Sequence, residues 1–504
     1  MKRTRVDGHL SKEEYASSEA TAGGSSSGDH TLASDDVMRS RRVVTARSTE
    51  RKRHAYALNQ NFYQGIKLQH AQNAKGSWVD NMAEYLAYVQ EIEGRYGDKS
   101  GVIMTFGSGD CGQLGHGVDE DKDMIVSVPR VVAALSKQQI VRVGCGGLHT
   151  AAVTKDGNVY TWGCNDDGAL GRTGDENAPA LVTGFPANTS IINVVGGDCH
   201  SVALGVDGSV FMWGSYKDKE GKLWCDAATP KETFKNKQLT PFRIPGLSNI
   251  VDIDCGSSFN LARAADGHVF SWGLGEMGQL GRPVSDKIRA PSGEYDLPLV
   301  FNQHLKPALV LLNGKKLLCK AIGCGSYHSL FIANETGGIY TTGLNNYGQL
   351  GLGHDANQIE PQLVEALSHK VGQAVAAGTH NSLVLMADGT MYSFGRADSG
   401  QLGTIDNPET GAMKESPQEI IVKAKSGRVS FAKISCGSNH SLAVTSENDL
   451  YAWGYGDMCA LGTGEEKDEY KPRLVDWTKT KFGPARILQV NAGGQHSAIV
   501  ALKD

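Results

Sequence analysis

One phrase recurs seven times between residues 106 and 454 of this chain: an aromatic residue and a glycine, usually followed by a loop that ends in Gly-x-Leu-Gly. Successive glycines of the aromatic-glycine step lie 51 to 70 residues apart, a period typical of β-propellers and solenoids. The repeat constrains the fold more than any other feature of the sequence. The seven copies are Phe106-Gly107, Trp162-Gly163, Trp213-Gly214, Trp272-Gly273, Phe394-Gly395, Trp453-Gly454 and a degenerate Thr342-Gly343.

Most units carry a second phrase upstream, Gly-x-x-His before a short apolar run, and an Asp-Gly pair between the two phrases. In one unit His149 is followed by Asp156-Gly157 and then by Trp162. Asp-Gly supplies the positive φ that a two-residue hairpin needs, so each unit is expected to contain antiparallel strands. Each unit has room for four short strands, the content of one propeller blade. The period contains no long amphipathic helix, which argues against a helical solenoid.

The ends of the repeat indicate a closed ring. The first unit begins at Val102 with only the aromatic-glycine half, and the last unit ends at Leu502 with only the Gly-x-x-His half. If residues 102–106 pair with residues 487–502, the two halves complete one blade and leave no sheet edge open. We therefore predict an all-β fold over residues 100–504, a seven-bladed β-propeller closed by its N- and C-terminal strands.

The repeated loops and histidines have a structural interpretation. Gly-x-Leu-Gly is expected to provide turns and a leucine that fills the gap between blades. The repeated histidines are more typical of hydrogen bonds to backbone groups between strands than of a metal site, because they are spread around the ring. The third and fifth units have Phe259 and Asn381 at this position, so the imidazole is not obligatory. The histidines concerned are His149, His200, His328, His440 and His496.

The chain has 10 cysteines and no Cys-x-x-Cys pair. Four of them directly precede the glycine of a Gly-x-x-His phrase or its equivalent, namely Cys145, Cys255, Cys324 and Cys436. This repetition indicates small buried positions and reduced thiols, which fit a cytosolic or nuclear compartment. A charged N-terminus and the absence of a membrane-length apolar stretch favour a soluble intracellular protein without membrane contact.

Residues 1–76 lack apolar periodicity and contain Gly-Gly-Ser-Ser-Ser-Gly at 23–28, so a disordered arm is expected. A basic cluster at 39–54 suits contact with nucleic-acid phosphates or recognition by a nuclear import receptor, and a plain solvated tail is the alternative. Residues 100–504 are acidic, with a net charge of −7, which favours a protein partner for the ring. The basic residues of the cluster are Arg39, Arg41, Arg42, Arg47, Arg51, Lys52 and Arg53.

Residues 77–99 are predicted to form an amphipathic helix and a linker. The helix is expected at 78–95, because apolar residues recur in steps of three and four, as on one face of a helix: Trp78, Met82, Tyr85, Val89, Ile92 and Tyr96. Ser77 with Asp80 resembles a capping box. The apolar stripe is expected to dock on the side of the propeller, and binding to a partner or to another copy of the protein is the alternative.

The repeat resembles the regulator of chromosome condensation family over roughly residues 102–503. The resemblance is carried by Cys164–Arg172 (C-N-D-D-G-A-L-G-R) and by Gly493–His496, and more specifically by an insertion at 215–224. There S-Y-K-D-K-E-G-K-L-W replaces the Gly-x-Leu-Gly loop of the second full unit. In the exchange-factor branch of the family a similar insertion acts as a wedge that helps to eject guanine nucleotide from the small GTPase Ran. The resemblance implies a guanine nucleotide exchange factor that accelerates dissociation, without covalent chemistry or a cofactor.

The resemblance also implies site residues and partners. Repeat phase places His149, Asp198, His380 and His496 on one rim of the ring, whereas Ser258 departs from the acid found in the family. The partners implied are Ran, chromatin (histones and DNA) through the basic arm, and a nuclear import receptor, in a nuclear and chromatin-associated protein. The Ran-facing residues implied are Asp198, His380, Asp110, Arg282, His149 and His496, with Tyr216, Lys217, Asp218, Lys219 and Glu220 on the wedge.

An interaction scaffold and a photoreceptor are two other classes of function that a ring of this kind can serve. A propeller that serves only as an interaction scaffold should lack the insertion at 215–224. The plant ultraviolet receptor with the same ring would require repeated Trp-Arg clusters at the Gly-x-x-His phase, and these do not occur. The sequence shows no catalytic triad, metal-ligand cluster or phosphate-binding glycine loop, which argues against a hydrolase or a kinase.

Overall fold

The computed structural model of the protein describes residues 82–502 except 98, 118–123, 226–234, 286–288, 290–291, 407, 425–426, 477–479 and 484. The expected disordered arm over 1–76, its basic cluster at 39–54 and the helix cap at Ser77 and Asp80 lie outside the described residues.

Seven four-stranded antiparallel sheets form the seven blades of a β-propeller, which confirms the predicted fold. From the innermost strand outward, blade 1 consists of Ile140–Cys145, His149–Thr154, Val159–Gly163 and Ala180–Leu181; blade 2 of Ile191–Gly196, His200–Gly205, Val210–Gly214 and Gln238–Arg243; blade 3 of Ile250–Cys255, Phe259–Ala264, Val269–Gly273 and Ala308–Leu309; blade 4 of Cys319–Cys324, His328–Ala333, Ile339–Gly343 and Gln358–Leu363. Blade 5 consists of Gly372–Ala377, Asn381–Met386, Met391–Arg396 and Met413–Ile420; blade 6 of Phe431–Cys436, His440–Thr445, Leu450–Gly454 and Glu469–Leu474; blade 7 of Arg486–Ala492, His496–Leu502, Val102–Ser108 and Ile125–Val131.

Short elements decorate this ring. The helices are α1 (Met82–Tyr96) and α2 (Leu297–Val300), which continues into a single π-helical segment, Phe301–Leu305. Three two-stranded hairpins pair Tyr216–Lys217 with Leu223–Trp224, Leu311–Leu312 with Lys315–Lys316, and Lys423–Ala424 with Gly427–Arg428. The 3₁₀ turns are Ala133–Leu135, Glu365–Leu367 and Asp457–Cys459.

The ring closes within blade 7, as the incomplete first and last units predicted. The first strand of the chain pairs antiparallel with the last, and Thr105 lies opposite Ala498. A belt of backbone hydrogen bonds also runs from blade to blade, just after each innermost strand. Its seven donor–acceptor pairs are Gly147 to Gly197, Asp198 to Ser257, Ser257 to Ser326, Ser326 to Gly378, Thr379 to Ser438, Ser438 to Gly493, and Gly494 to Gly146.

The repeated tryptophans and Gly-x-Leu-Gly loops meet at the boundaries between blades. Trp162 is fully buried, and its Nε1 donates to the carbonyl oxygen of Gln113 at 2.9 Å, in the loop of the preceding blade. A Cβ on Gly115, at φ 72°, would stand 2.7 Å from the Trp162 ring, so this turn requires glycine. Leu114 is buried in the hydrophobic cluster between blades 6 and 7, as predicted for the leucine of the loop.

The buried histidines connect neighbouring blades through side chains, rather than through the backbone groups that the sequence analysis expected. Thr150 Oγ1 donates to the Gln113 carbonyl oxygen at 2.8 Å and lies 2.8 Å from His496 Nε2. Because the hydroxyl proton is used on the carbonyl, the hydroxyl oxygen is left to accept from the imidazole. The other contacts, all at 2.8 Å from Nε2, join His149 to Ser201, His200 to the Asn260 amide, His328 to Ser382, and His440 to Ser497.

The propeller has two end faces. The innermost strands end, with the Gly-x-x-His phrases, on the face that also carries residues 215–224; we call this the hairpin face. The strands begin on the opposite face, where α1 lies; we call this the helix face. An axial channel of about 790 Å³ runs between them, with Asp198 at the mouth on the hairpin face and Gly94 and Arg95 of α1 at the other end.

Helix α1 docks on the helix face of the ring, not on its side as the sequence analysis expected. Tyr88 is buried and donates to the Val206 carbonyl oxygen at 2.8 Å. Arg95 Nη1 lies 2.8 Å from Asp252 Oδ2, and Nη2 donates to the Lys320 carbonyl oxygen at 2.7 Å. The helix therefore joins blades 2, 3 and 4 at the mouth of the channel.

A second set of contacts secures the end of α1. Arg263 pairs with Glu91, and Arg142 of blade 1 donates to the Arg95 carbonyl oxygen. Tyr96 donates to the Val251 carbonyl oxygen at 3.0 Å, and the Arg142 guanidinium carbon lies 4.9 Å from the Tyr96 ring centroid.

In the described part of the chain no helix is long and apolar enough to span a bilayer.

All ten cysteines are free thiols, as the spacing predicted. Cys145, Cys255, Cys324 and Cys436 line the axial channel. Burial raises the pKa of Cys436 to about 12, which keeps that sulfur protonated and unreactive.

Candidate functional site

The candidate site is the hairpin face, where the belt of backbone hydrogen bonds surrounds the mouth of the channel. Asp198 is exposed there, and it is the only charged residue at its phase of the repeat, directly after the glycine of Gly-x-x-His. Desolvation by the surrounding protein raises the pKa of the Asp198 carboxyl above its ordinary value, and a hydrogen bond with Ser257 partly offsets this effect. The equivalent residues of the other blades are Gly147, Ser257, Ser326, Thr379, Ser438 and Gly494.

His380 lies on the same face and is half-buried. Its ring packs against Tyr347 with a centroid distance of 4.8 Å. Burial and the nearby Arg396 lower the pKa of this imidazole. Arg396 is itself held by Asp398 through two contacts of 2.8 Å, so His380 is a neutral side chain beside a fixed ion pair.

The structure divides the six predicted Ran-facing residues into two groups. Asp110, Asp198 and His380 reach the surface of the hairpin face. His149 and His496 are buried in the contacts between blades, with their Nε2 atoms on Ser201 and Thr150. These two histidines therefore support the face from beneath.

Arg282 is the sixth predicted residue, and it too lies inside a blade. Its guanidinium group donates to the carbonyl oxygens of Ser271 and Gln303, at 3.3 and 2.8 Å. Burial lowers its pKa to about 10. Arg172 occupies the same position of the repeat and likewise donates to a strand carbonyl, that of Thr161. This placement makes Arg282 part of the scaffold of the face.

The insertion at 215–224 folds into a small β-hairpin at the rim of the hairpin face. Tyr216 pairs with Trp224 and Lys217 with Leu223. Tyr216 and Trp224 are buried at the base of the hairpin, whereas Lys219 and Glu220 are exposed at its tip. The described tip is thus charged and polar on a buried aromatic base.

Asp218 organises this hairpin from within. Its carboxylate accepts hydrogen bonds from the backbone amides of Glu220 and Lys222, at 3.0 and 2.8 Å, and from Trp224 Nε1 at 2.9 Å. Sequence reasoning assigned Tyr216 and Asp218 to partner contact, but both are buried. Of the five residues predicted for the wedge, Lys217, Lys219 and Glu220 face solvent.

Ser258, which stands where the resemblance led us to expect an acid, fixes the base of the hairpin. Its hydroxyl donates to the Lys217 carbonyl oxygen at 2.9 Å, and the Lys217 amide lies 3.1 Å from the same oxygen. A carboxylate at this position would have no proton to donate to the carbonyl. Ser258 therefore provides a link between blade 3 and the hairpin in place of an acidic side chain.

Sequence reasoning missed several large exposed side chains on the hairpin face. Leu148, Tyr327 and Tyr455 are 38, 40 and 38% exposed. They lie beside the Gly-x-x-His and aromatic-glycine phrases at positions that the repeat does not use for packing, and this was the signal available in the sequence. Glu276 is also close by, with an Oε2 atom 3.9 Å from Lys219 Nζ. The face thus combines carboxylates with separate apolar contacts, which is typical of a protein-binding surface.

In the described ranges no group of three or more histidine, cysteine or acidic side chains is placed to hold a metal ion. The buried histidines are neutral, because burial lowers the pKa of His149 and His496 to about 3. Exposed charges lie on this face at Asp198 and at the tip of the hairpin.

Comparison with known proteins gives this face a family context. The model of the RCC1-like domain matches residues 102–499. Regulator of chromosome condensation from Homo sapiens is 31% identical over 79% of this chain and 90% of its own length. Guanine nucleotide exchange factor SRM1 from Saccharomyces cerevisiae is 29% identical over 80% of this chain and 87% of its own.

A solved structure and a further relative complete the comparison. The crystal structure of Prp20p from Saccharomyces cerevisiae, reported with its binding to Gsp1p and histones, superposes with a TM-score of 0.71 at 28% identity, over 83% of this chain and 95% of that chain. Ultraviolet-B receptor UVR8 from Arabidopsis thaliana is 30% identical over 74% of this chain and 78% of its own.

The fold is a seven-bladed β-propeller, in which a hairpin at residues 215–224 replaces the Gly-x-Leu-Gly loop of blade 2. With the match across residues 102–499, the chain belongs to the RCC1-like, or regulator of chromosome condensation, family. This family includes proteins named as exchange factors and a photoreceptor, so the activity has to be argued from the site.

Proposed function

We propose that this protein is a guanine nucleotide exchange factor for a small GTPase of the Ran type, acting through the hairpin face. The observation that carries the proposal is the hairpin at 215–224, which replaces a regular loop and presents Lys219 and Glu220 on the same face as the exposed Asp198. Relatives named as an exchange factor and as a Gsp1p-binding protein support it.

The mechanism requires no bond chemistry. A protein that binds the nucleotide-free GTPase more tightly than the nucleotide-bound form must weaken nucleotide binding by the same factor. The hairpin would occupy space that the loaded GTPase needs, while Asp110, Asp198 and His380 hold the nucleotide-free form. The nucleotide in excess then enters the emptied site, so a GTP excess makes the exchange directional.

The buried residues of the site would act by keeping this surface in place. His149 and His496 lock neighbouring blades, Arg282 ties blade 3 to the segment around Gln303, and Asp218 sets the turn of the hairpin. A preformed surface does not have to be ordered when the partner binds, which leaves more binding energy for displacement of the nucleotide.

We also propose that the protein acts in the nucleus on chromatin. The support is the basic cluster at 39–54, whose seven basic residues and single acid suit phosphate contact or import-receptor recognition. The reported binding of Prp20p to histones is consistent with this location.

The decisive experiment is release of a fluorescent guanine nucleotide from Ran by catalytic amounts of the full chain. Asp198→Ala and a tip variant with Gly-Ser in place of Lys219 and Glu220 should each slow release by about tenfold or more, because each removes charged contacts at the interface. The tip variant retains Tyr216, Asp218 and Trp224, and with them the hydrogen bonds through which Asp218 sets the turn of the hairpin.

Glu447→Ala is the matched control. Glu447 is an exposed acid in a turn on the helix face, and its removal should leave the rate of release unchanged. Failure of the unmodified chain to accelerate release from Ran would exclude the exchange activity and leave a propeller that serves as an interaction scaffold.

A further inference from the structure

A segment of blade 3 supports the hairpin from outside. Tyr295 Oη lies 3.0 Å from Asp218 Oδ2 and 3.2 Å from Glu220 Oε2. Arg289 pairs with Glu220, and its guanidinium carbon lies 3.9 Å from the centroid of the Tyr295 ring. Arg289 also donates to the Gly293 carbonyl oxygen at 2.9 Å. We call Arg289 and Tyr295 the brace.

An aromatic layer joins the brace to the returning strand of the hairpin. The rings of Trp224 and Tyr295 meet edge to face, with centroids 4.7 Å apart. Lys222 Nζ lies 3.8 Å from the Tyr295 centroid and 4.2 Å from the Trp224 centroid. Edge-to-face and cation–π contacts of this kind stabilise the arrangement that brings them together.

The hairpin needs such support because its own strands are too short to be stable. It contains only two residue pairs, Tyr216 with Trp224 and Lys217 with Leu223, whereas an isolated two-stranded hairpin is at best marginally stable in water. Asp218 orders the turn, and Ser258 fixes the base. The brace provides a contact to the tip itself, through Glu220.

We propose that Arg289 and Tyr295 are positioning residues that hold the hairpin in its projecting orientation, so that the rate of nucleotide release depends on them although they need not touch the GTPase. This inference rests on the proposed function for its link to exchange, but the ordering of the hairpin can be measured on the protein alone.

The first measurement is hydrogen–deuterium exchange in residues 218–224 of the full chain without any GTPase. The amides of Glu220 and Lys222 are hydrogen-bonded to Asp218. Tyr295→Phe removes the hydroxyl contacts and retains the ring, and should raise exchange at these amides about fivefold or more, because local opening becomes easier. Tyr340→Phe in blade 4 is the matched control and should have no effect there.

A charge swap tests the ion pair in the same assay. Arg289→Glu places two carboxylates together and should raise exchange in the hairpin, while Arg289→Glu combined with Glu220→Arg restores opposite charges and should recover protection. Unchanged hairpin protection in both Tyr295→Phe and Arg289→Glu would overturn the inference, whatever the activity of the protein.

The second measurement is nucleotide release from Ran by Tyr295→Phe. We expect about a tenfold lower maximal rate, as for loss of a hydrogen bond to a charged group, with a smaller change in the concentration of GTPase needed for half-maximal rate. Loss of protection without any loss of rate would refute the positioning role. If the unmodified chain is itself inactive, the proposed function and the role in exchange both fail, and hydrogen exchange still decides whether the brace orders the hairpin.

Discussion

At the scale of single residues, the repeated histidines explain how the ring is held together. Each imidazole reaches a hydroxyl or amide of the next blade, and the hydroxyl in turn donates to a loop carbonyl, as Ser382 does to Gln349 at 2.7 Å. The imidazole has to be neutral in this place, and burial lowers the pKa of His328 to about 3. The same group in an unfolded chain titrates near pH 6.5.

This difference predicts how stability depends on pH. Below pH 6.5 the unfolded chain binds protons that the folded ring excludes, so the free energy of unfolding should fall as the pH decreases toward 3. His328→Phe should be about 1 kcal/mol less stable at pH 7, through loss of a hydrogen bond, yet lose up to about 1.4 kcal/mol less per pH unit between pH 6 and 4. Denaturant unfolding at several pH values measures both effects.

The exposed His369 offers the comparison. His369→Phe changes an exposed residue outside the contacts between blades, and it serves as the control that should retain the slope of the unmodified protein. A His328→Phe protein with an unaltered pH slope would show that the histidine contacts do not govern acid sensitivity. Phe259 already occupies the same position in blade 3, so a phenyl ring can be accommodated at this phase.

At the scale of elements, helix α1 links blades 2, 3 and 4 through hydrogen bonds and an ion pair. Arg95 combines an ion pair with Asp252 and a hydrogen bond to Lys320 of the next blade. Arg95→Ala should lower the free energy of unfolding by about 2 kcal/mol, as for a charge-assisted hydrogen bond whose carboxylate loses its partner. Thermal unfolding and limited proteolysis of the helix measure this. Glu93→Ala, at an exposed position of the same helix, should behave like the unmodified protein.

The blades could be predicted from sequence and the docking of the helix could not, for a physical reason. A repeated phrase such as Trp162-Gly163 with Gly-x-Leu-Gly encodes local turns and neighbour contacts, which hold wherever the unit occurs. The place of α1 depends on carbonyl groups such as those of Val206 and Lys320, which any residue supplies. A stripe of apolar residues indicates burial but not which surface provides it.

At the candidate site, too, the sequence predicted the position of residues but not which of them are exposed. Repeat phase correctly placed Asp198 and His380 on one face, because phase determines position around and along a blade. It could not distinguish the exposed Lys219 from the buried Asp218 of the same hairpin, since both are polar residues in a turn. That difference arises from Trp224 and Tyr295, whose polar atoms converge on the Asp218 carboxylate.

At the scale of the whole molecule, blade 7 joins the first and last strands of the described chain. Truncation before Arg486 would remove its two inner strands and the contacts of His440 with Ser497 and of His496 with Thr150. We expect this chain to lose cooperative thermal unfolding and to elute as an expanded or aggregated species in gel filtration, because the ring would have open edges. Truncation after Leu502 retains the strand and should preserve the native melting curve; a compact, cooperatively melting protein without residues 486–504 would disprove the role of closure.

Helix α1 and the mouth of the channel at Asp198 lie on opposite faces of the ring. The first strand starts on the helix face, at Val102, and runs toward the hairpin face. A partner that covers the hairpin and Asp198 would therefore leave α1 uncovered. The contacts that join α1 to blades 2, 3 and 4 would stay intact while that partner binds and leaves.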